Sequence, residues 1–330
     1  MDILFHILLL IFGFICLIKG ADFFVLSSSS IARKKNVSPL IIGLTLVAFG
    51  TSLPELAVSF VASITVQPGQ TSDIAMGNVV GSNIVNITLI LGLTALFRPV
   101  PVSPTMHKRE FPFLMIITLI VTILALFFQS HYVITWWEGL ILLILFIFYL
   151  YLMISNKNQP MEVIEIKVID HKKSILLLII GIAGVSIGGF MVTRGAEFIA
   201  VRLLVDSFKL TLTKATTLVG LSIVAVGTSL PEMVTSIVAA KKGENEIAFG
   251  NIVGSNIFNV LFILGFSSLF SPLGINQDVL IDMIILIPIT FFALLFAISK
   301  TKVTKLEGLL LILMYTFYLI YIIIRALGIV

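Results

Sequence analysis

The sequence is short of charge, of cysteine and of histidine, and each shortage removes a class of protein. Only 12% of its 330 residues are charged, while 58% are hydrophobic. A soluble chain has about a quarter charged, so a soluble globular domain is excluded. The single cysteine, Cys16, cannot form an intrachain disulfide, and its place in an apolar run suits a small core hydrophobe. Four histidines, His6, His107, His131 and His171, stand far apart and outside the repeated stretches described below. They read as structural or surface residues and not as a metal centre. No Walker-type loop, dinucleotide fingerprint or Cys/His cluster is present. ATP-driven chemistry, a resident cofactor and a nucleic-acid partner are therefore without support, and nothing points to an enzyme.

What is present is a series of long apolar runs. A membrane span needs about 20 such residues. Ten segments qualify, at about 3–28, 38–66, 72–97, 111–129, 134–154, 174–199, 212–240, 245–270, 278–299 and 305–326. The expectation is an all-α polytopic membrane protein of ten transmembrane helices, with the lipid bilayer as its main partner. The first run lacks a basic leader and a small-residue cleavage pattern, so it reads as a retained span. Odd-numbered loops hold 15 of the 21 lysines and arginines, which places them in the cytoplasm and both termini outside. Trp136-Trp137 opens span five as an interfacial anchor. Arg109-Glu110 and Lys305 with Glu307 read as boundary charges. No large soluble domain offers an interface, so no obligate protein partner is expected.

The halves repeat. Gly50-Thr-Ser-Leu-Pro-Glu55 recurs as Gly227-Thr-Ser-Leu-Pro-Glu232, and Gly50–Ser63 matches Gly227–Ala240 at nine of 14 positions. Gly77–Pro99 matches Gly250–Pro272 at 14 of 23. Gly20-Ala-Asp-Phe23 resembles Gly195-Ala-Glu-Phe198, and Glu138-Gly139 opens span five as Glu307-Gly308 opens span ten. The chain thus divides into a first five-span repeat at 1–154, a short charged cytoplasmic linker at 155–173 and a second repeat at 174–330. Five is odd, so the second unit enters the membrane from the other side. That inverted plan places a binding site near the midplane, between the repeats.

The repeated motif carries the chemistry. Pro54 removes a backbone donor and its ring collides with the carbonyl about one turn back. Broken backbone at membrane depth is tolerated where it lines a cavity, and a buried carboxylate there is a functional signal. The carbonyl of Ala48, the hydroxyls of Thr51 and Ser52 and the Glu55 carboxylate are hard oxygen donors; Ala225, Thr228, Ser229 and Glu232 repeat them. Ser82 and Asn86 share one helix face four residues apart, as do Ser255 and Asn259. Such oxygens suit Ca²⁺ and Na⁺. Two carboxylates give a charge of −2, which one Ca²⁺ or two Na⁺ neutralise, and an empty pair repels itself and holds protons or monovalent ions. One site serving competing ions in turn is what antiport needs. A glutamate-lined channel is the less favoured reading, because inverted halves with broken spans suit a carrier.

The two GTSLPE segments and the two GN-x-V-GSNI-x-N segments resemble the alpha repeats of the cation/calcium exchanger superfamily, specifically its prokaryotic sodium/calcium exchanger-like proteins. The resemblance covers nearly the whole chain. It implies a prokaryotic cell-membrane protein moving one Ca²⁺ against several Na⁺. It also implies an ion cluster built from Ala48, Thr51, Ser52, Glu55, Ser82, Asn86, Ala225, Thr228, Ser229, Glu232, Ser255 and Asn259, with spans one and six as a long sliding pair. One departure stands out: Asn259 occupies a position where such exchangers often carry aspartate. Two carboxylates in place of three leave Ca²⁺/H⁺ or monovalent cation exchange as the alternative coupling.

Overall fold

The computed structural model describes residues 2–67, 70–127, 133–155, 169–206, 211–219, 223, 225–299 and 301–326. Most of the expected linker, 156–168, lies outside the described residues, as do His131 and residues 220–222 and 224 of the seventh expected span.

Helices dominate because hydrocarbon offers the backbone no partner of its own. They are α1 (Asp2–Lys34), α2 (Pro39–Thr51), α3 (Leu53–Ile64), α4 (Asp73–Phe97), α5 (Met106–Leu126) and α6 (Trp136–Ser155). The rest are α7 (His171–Asp206), α8 (Leu212–Val219), α9 (Ala225–Thr228), α10 (Leu230–Lys241), α11 (Asn245–Ser268), α12 (Gln277–Ser299) and α13 (Lys305–Ala326). Among the described residues, eight of these are long and apolar enough to cross a membrane, and the bent pair α2/α3 makes nine. The expected span 212–240 comprises α8, α9 and α10.

Helices α1 and α7, of 33 and 36 residues, run past the expected spans. At 1.5 Å per residue each is about 50 Å long, against a hydrocarbon layer of about 30 Å. Ser27–Ser30 straddle the expected end of the first span at 28 and are buried on all sides. The two helices lie against each other with little between their backbones. A Cβ added at Gly20 would sit 2.7 Å from the Gly184 carbonyl carbon, and one at Gly188 would sit 2.6 Å from the Leu17 nitrogen. Small residues permit such approach where lipid supplies no hydrophobic drive between helices.

The centre belongs to α4 and α11, of which α11 is buried along nearly its whole length. Helix α13 packs on the second half of α4, and α6 packs on the second half of α11. Two short strand pairs cross in the same manner. β1 (Val100–Pro101) pairs with β4 (Lys302–Val303), and β2 (Val133–Ile134) pairs with β3 (Leu273–Gly274), both antiparallel. The starts of α6 and α13 are capped alike. Thr135 donates its N–H and hydroxyl to Glu138 at 2.8 and 2.9 Å, and Thr304 does the same to Glu307 at 2.7 Å for both. These are capping-box contacts, so Glu307 is a helix cap as well as a boundary charge.

Glu110 is not a boundary charge exposed to water. It is fully buried, accepts from Arg109 Nε at 2.6 Å and from the Tyr149 hydroxyl at 3.0 Å, and so ties α5 to α6. A buried carboxylate requires such partners. Its neighbour Arg109 alone carries the boundary role. His6 stacks on Phe198 with ring centroids 3.7 Å apart, a packing role between α1 and α7.

Candidate cation site

The site begins with two matched breaks. Between α2 and α3 the axis bends by 50°, and Ser52 leaves helical geometry at φ −83°, ψ 11°. Ser229 does the same at φ −87°, ψ 8° before α10. The break falls two residues ahead of each proline. Pro54 and Pro231 then sit in the first turn of a new helix, where the missing N–H is no loss. Glu55 and Glu232 stand in the same first turns, where the positive end of the helix dipole favours a carboxylate.

Each break residue serves the other half of the chain. The spacing Ser-x-x-Glu is that of a capping box, yet neither Ser52 nor Ser229 caps its own helix through its side chain. Ser52 Oγ donates to Glu232 Oε1 at 2.7 Å, and Ser229 Oγ donates to Glu55 Oε1 at 3.0 Å. Ser255 Oγ adds a longer contact of 3.5 Å to Glu232 Oε1. Thr228 lies beside Glu55, and Thr51 beside Glu232. Both carboxylates are fully buried.

The central helices complete the set. Asn86 and Asn259 each open a five-residue π-helical turn, Asn86–Ile90 in α4 and Asn259–Ile263 in α11. Such turns interrupt the normal hydrogen-bond ladder and recur at functional sites. Asn259 Nδ2 donates to Asn83 Oδ1 at 3.0 Å, joining α4 and α11. Among the described residues, Glu55 Oε2, Glu232 Oε2, Ser82 Oγ, Asn86 Oδ1 and Asn259 Oδ1 are buried with no hydrogen-bond partner. Orphaned buried oxygens are costly, and here five come from expected site residues. Every one is a hard donor of the kind Ca²⁺ and Na⁺ accept.

The expected residues are brought together unequally. Glu55 with Ser229, and Glu232 with Ser52 and Ser255, form two hydrogen-bonded groups. The Ala48 carbonyl accepts the Ser52 N–H at 3.0 Å and the Thr51 hydroxyl at 3.3 Å. The Ala225 backbone starts α9, directly ahead of the second break. Asn78 and Asn251, absent from the expected ligand set, hold the carboxylate-bearing backbone in place. Asn78 Nδ2 donates to the Glu55 carbonyl at 3.1 Å and to Ser59 Oγ at 2.9 Å. Asn251 Nδ2 donates to the Glu232 carbonyl at 3.3 Å and to Ser236 Oγ at 2.9 Å. The signal was in the sequence, since Asn78 precedes Ser82 by one helical turn, on the same face as Asn86.

Paired broken helices, buried carboxylates and a central pair of long helices define a polytopic membrane transporter. Comparison with known proteins gives the family. The model of the sodium/calcium exchanger protein family matches residues 5–155 and again 173–324, and the chain belongs to that family. The sodium/calcium exchanger MaX1 of Methanosarcina acetivorans is 32% identical over 356 residues, covering 96% of this chain and 97% of that protein. The inner membrane protein YrbG of Escherichia coli is 34% identical, covering 80% of this chain and 79% of its own length. A solved structure of the sodium-calcium exchanger NCX_Mj superposes with a TM-score of 0.79 at 33% identity, covering 96% of this chain and 98% of that one. The resemblance drawn from the repeated motifs is thus shown.

Proposed function

We propose that the protein is a Na⁺/Ca²⁺ antiporter working by alternating access, with its cargo bound between two inverted repeats of five spans. The reciprocal contacts Ser52–Glu232 and Ser229–Glu55 carry the reading. They are what a two-fold relation between repeats requires, and they put two carboxylates and their orphaned oxygens in one place. The crossed strand pairs, with the strand after α4 joined to that before α13 and the strand before α6 to that after α11, support the same symmetry. So does the double match of the family model. The names of MaX1 and NCX_Mj support Na⁺ and Ca²⁺ as cargo. The ligands are Glu55 and Glu232 with oxygens from Ala48, Thr51, Ser52, Ser82, Asn86, Ala225, Thr228, Ser229, Ser255 and Asn259.

The two sides of the site differ. Gly77, Asn78 and Gly81 in the first half of α4 are partly exposed, whereas their counterparts Gly250, Asn251 and Gly254 in α11 are buried. Helix α2 closes that second side: a Cβ added at Gly254 would lie 2.7 Å from Leu44 Cα. With odd-numbered loops in the cytoplasm, this is a conformation sealed inside and more open outside. The sliding of α1 and α7 over the remaining helices exchanges the two.

The test is ⁴⁵Ca²⁺ uptake into proteoliposomes driven in separate trials by Na⁺, K⁺ or pH gradients. Uptake driven by an outward Na⁺ gradient, and abolished in Glu55→Gln and in Glu232→Gln, is expected. Uptake that follows only the pH gradient would establish Ca²⁺/H⁺ exchange, the reading that the amide of Asn259 keeps open. Unchanged uptake in both variants would sink the site.

A further inference from the structure

The buried serine run of α1 has no counterpart in α7. Ser27, Ser28, Ser29 and Ser30 are all at most 1% exposed, whereas the matching stretch of α7 begins Arg202-Leu-Leu-Val. Serine hydroxyls inside a helix usually return to a carbonyl one turn back, and Ser27 does a version of this by donating to the Phe24 carbonyl at 3.0 Å. Ser28 Oγ and Ser30 Oγ are buried with no hydrogen-bond partner among the described residues. Four polar side chains sealed in a helix interface, two of them unsatisfied, suit a surface that meets water in another conformation.

One turn towards the membrane centre lies Phe24, fully buried. A Cβ added at Gly50 would come within 2.7 Å of Phe24 Cζ and 3.2 Å of Ile182 Cγ1. Phe24 therefore fills the space over the first residue of the broken motif, between the site and the serines. Three contacts then tie this part of α1 to the turn between α10 and α11. Lys242 Nζ pairs with Asp22 Oδ1 at 2.9 Å, Arg33 with Glu244 Oε1 at 3.3 Å, and Ser29 Oγ donates to Glu244 Oε1 at 2.5 Å. On the other long helix, Glu197, the counterpart of Asp22, pairs within α7 to Arg194 at 3.1 Å. Among the described residues the ties are one-sided.

We propose that Phe24–Ser30 is the cytoplasmic gate. Phe24 plugs the site at Gly50, the serines line the route that opens when the plug withdraws, and the Asp22–Lys242 and Arg33–Glu244 pairs latch it shut. This assignment rests on the alternating-access reading and names the residues of one of its two gates. The latch adds to the stability of the form sealed on the inside, because ions that favour the other form must also break it.

The test uses thiol labelling in a Cys16→Ser background, with a membrane-impermeant maleimide added from the cytoplasmic or the outer face of membrane vesicles. S28C and S30C are expected to label slowly, from the cytoplasmic face only, and several-fold faster when Lys242→Asp breaks the latch. The charge swap Asp22→Lys with Lys242→Asp is expected to restore the slow rate, which separates latching from misfolding. Labelling from the outer face, or a rate indifferent to Lys242→Asp, overturns the proposal. G81C, at a partly exposed glycine with open space around it, reports the opposite side of the site. If its outer labelling responds to Na⁺ and Ca²⁺ while S28C and S30C stay unreactive, the gate assignment alone fails. If G81C is also indifferent to both ions, alternating access itself fails.

Discussion

Ser52 donates to Glu232 across 180 positions of sequence, at 2.7 Å. Each carboxylate of the pair is thus held by the break in the opposite half, and neither half owns a complete site. A hydrogen bond to an ionised group contributes about 1.5–3 kcal/mol. Ser52→Ala is expected to weaken Ca²⁺ binding by about tenfold or more, read by calorimetry on the purified protein. Ser229→Ala is expected to match it. A double-mutant cycle of Ser52→Ala with Glu232→Gln is expected to show strong coupling, and additivity would contradict the reciprocal arrangement.

Asn78→Ala and Asn251→Ala remove supports of the ligand backbone without removing a ligand. Partners of this kind are worth about 10- to 100-fold in metal affinity. The expected result is weaker Ca²⁺ binding with residual exchange, in contrast to the complete loss in Glu55→Gln. The measurement is the concentration dependence of ⁴⁵Ca²⁺ uptake.

Asn259 fixes the charge of the site. With Glu55 and Glu232 as the acids of the proposed site, a load of one Ca²⁺ or two Na⁺ leaves it neutral. Exchange in the natural sequence is therefore expected to be insensitive to a potential clamped across the liposome membrane. Asn259→Asp adds a third acid and room for a third Na⁺, and is expected to make uptake voltage-dependent. Voltage-dependent uptake by the unaltered protein would refute the two-for-one count.

Gly20 faces backbone. A methyl there would lie 2.7 Å from Val185 N, and main chain cannot move aside as a side-chain tip can. Overpacking of this sort costs about 1–3 kcal/mol. Gly20→Ala is expected to lower the unfolding temperature in detergent and to slow exchange. A variant as stable and as active as the parent would show that α1 and α7 can separate freely.

The sequence disclosed the larger part of the fold because membrane physics leaves few choices. Apolar runs gave the helices, and the matched motifs gave one break in each half, expected a turn before the proline near Gly50 and found two residues later, at Ser52 and Ser229. Helix ends were less legible. The first span was expected to stop at 28 while α1 runs on to Lys34, since composition cannot tell a polar residue sealed between helices from one in water. Glu110 was misjudged for the same reason: its partner Tyr149 lies 39 positions away, beyond any local pattern. The ligand faces of α4 and α11 could be read from four-residue spacing. The place of Asn78 and Asn251 on those faces could be read as well, but not which backbone they brace, because that depends on how a bent helix leans against a straight one.

The crossed packing of the last helix in each half bears on how the chain is made. Helix α6 rests on α11, and α13 rests on α4, with Gly308 so close to Gly92 that an added methyl would reach its carbonyl at 2.7 to 2.8 Å from either side. During synthesis α4 must therefore wait, its Gly92 face uncovered, until the final helix has been threaded into the membrane. A ribosome that stops after α6 would leave an incomplete object and not a folded half. The insertion machinery, or lipid, has to shelter that face for the time it takes to translate the remaining half of the protein.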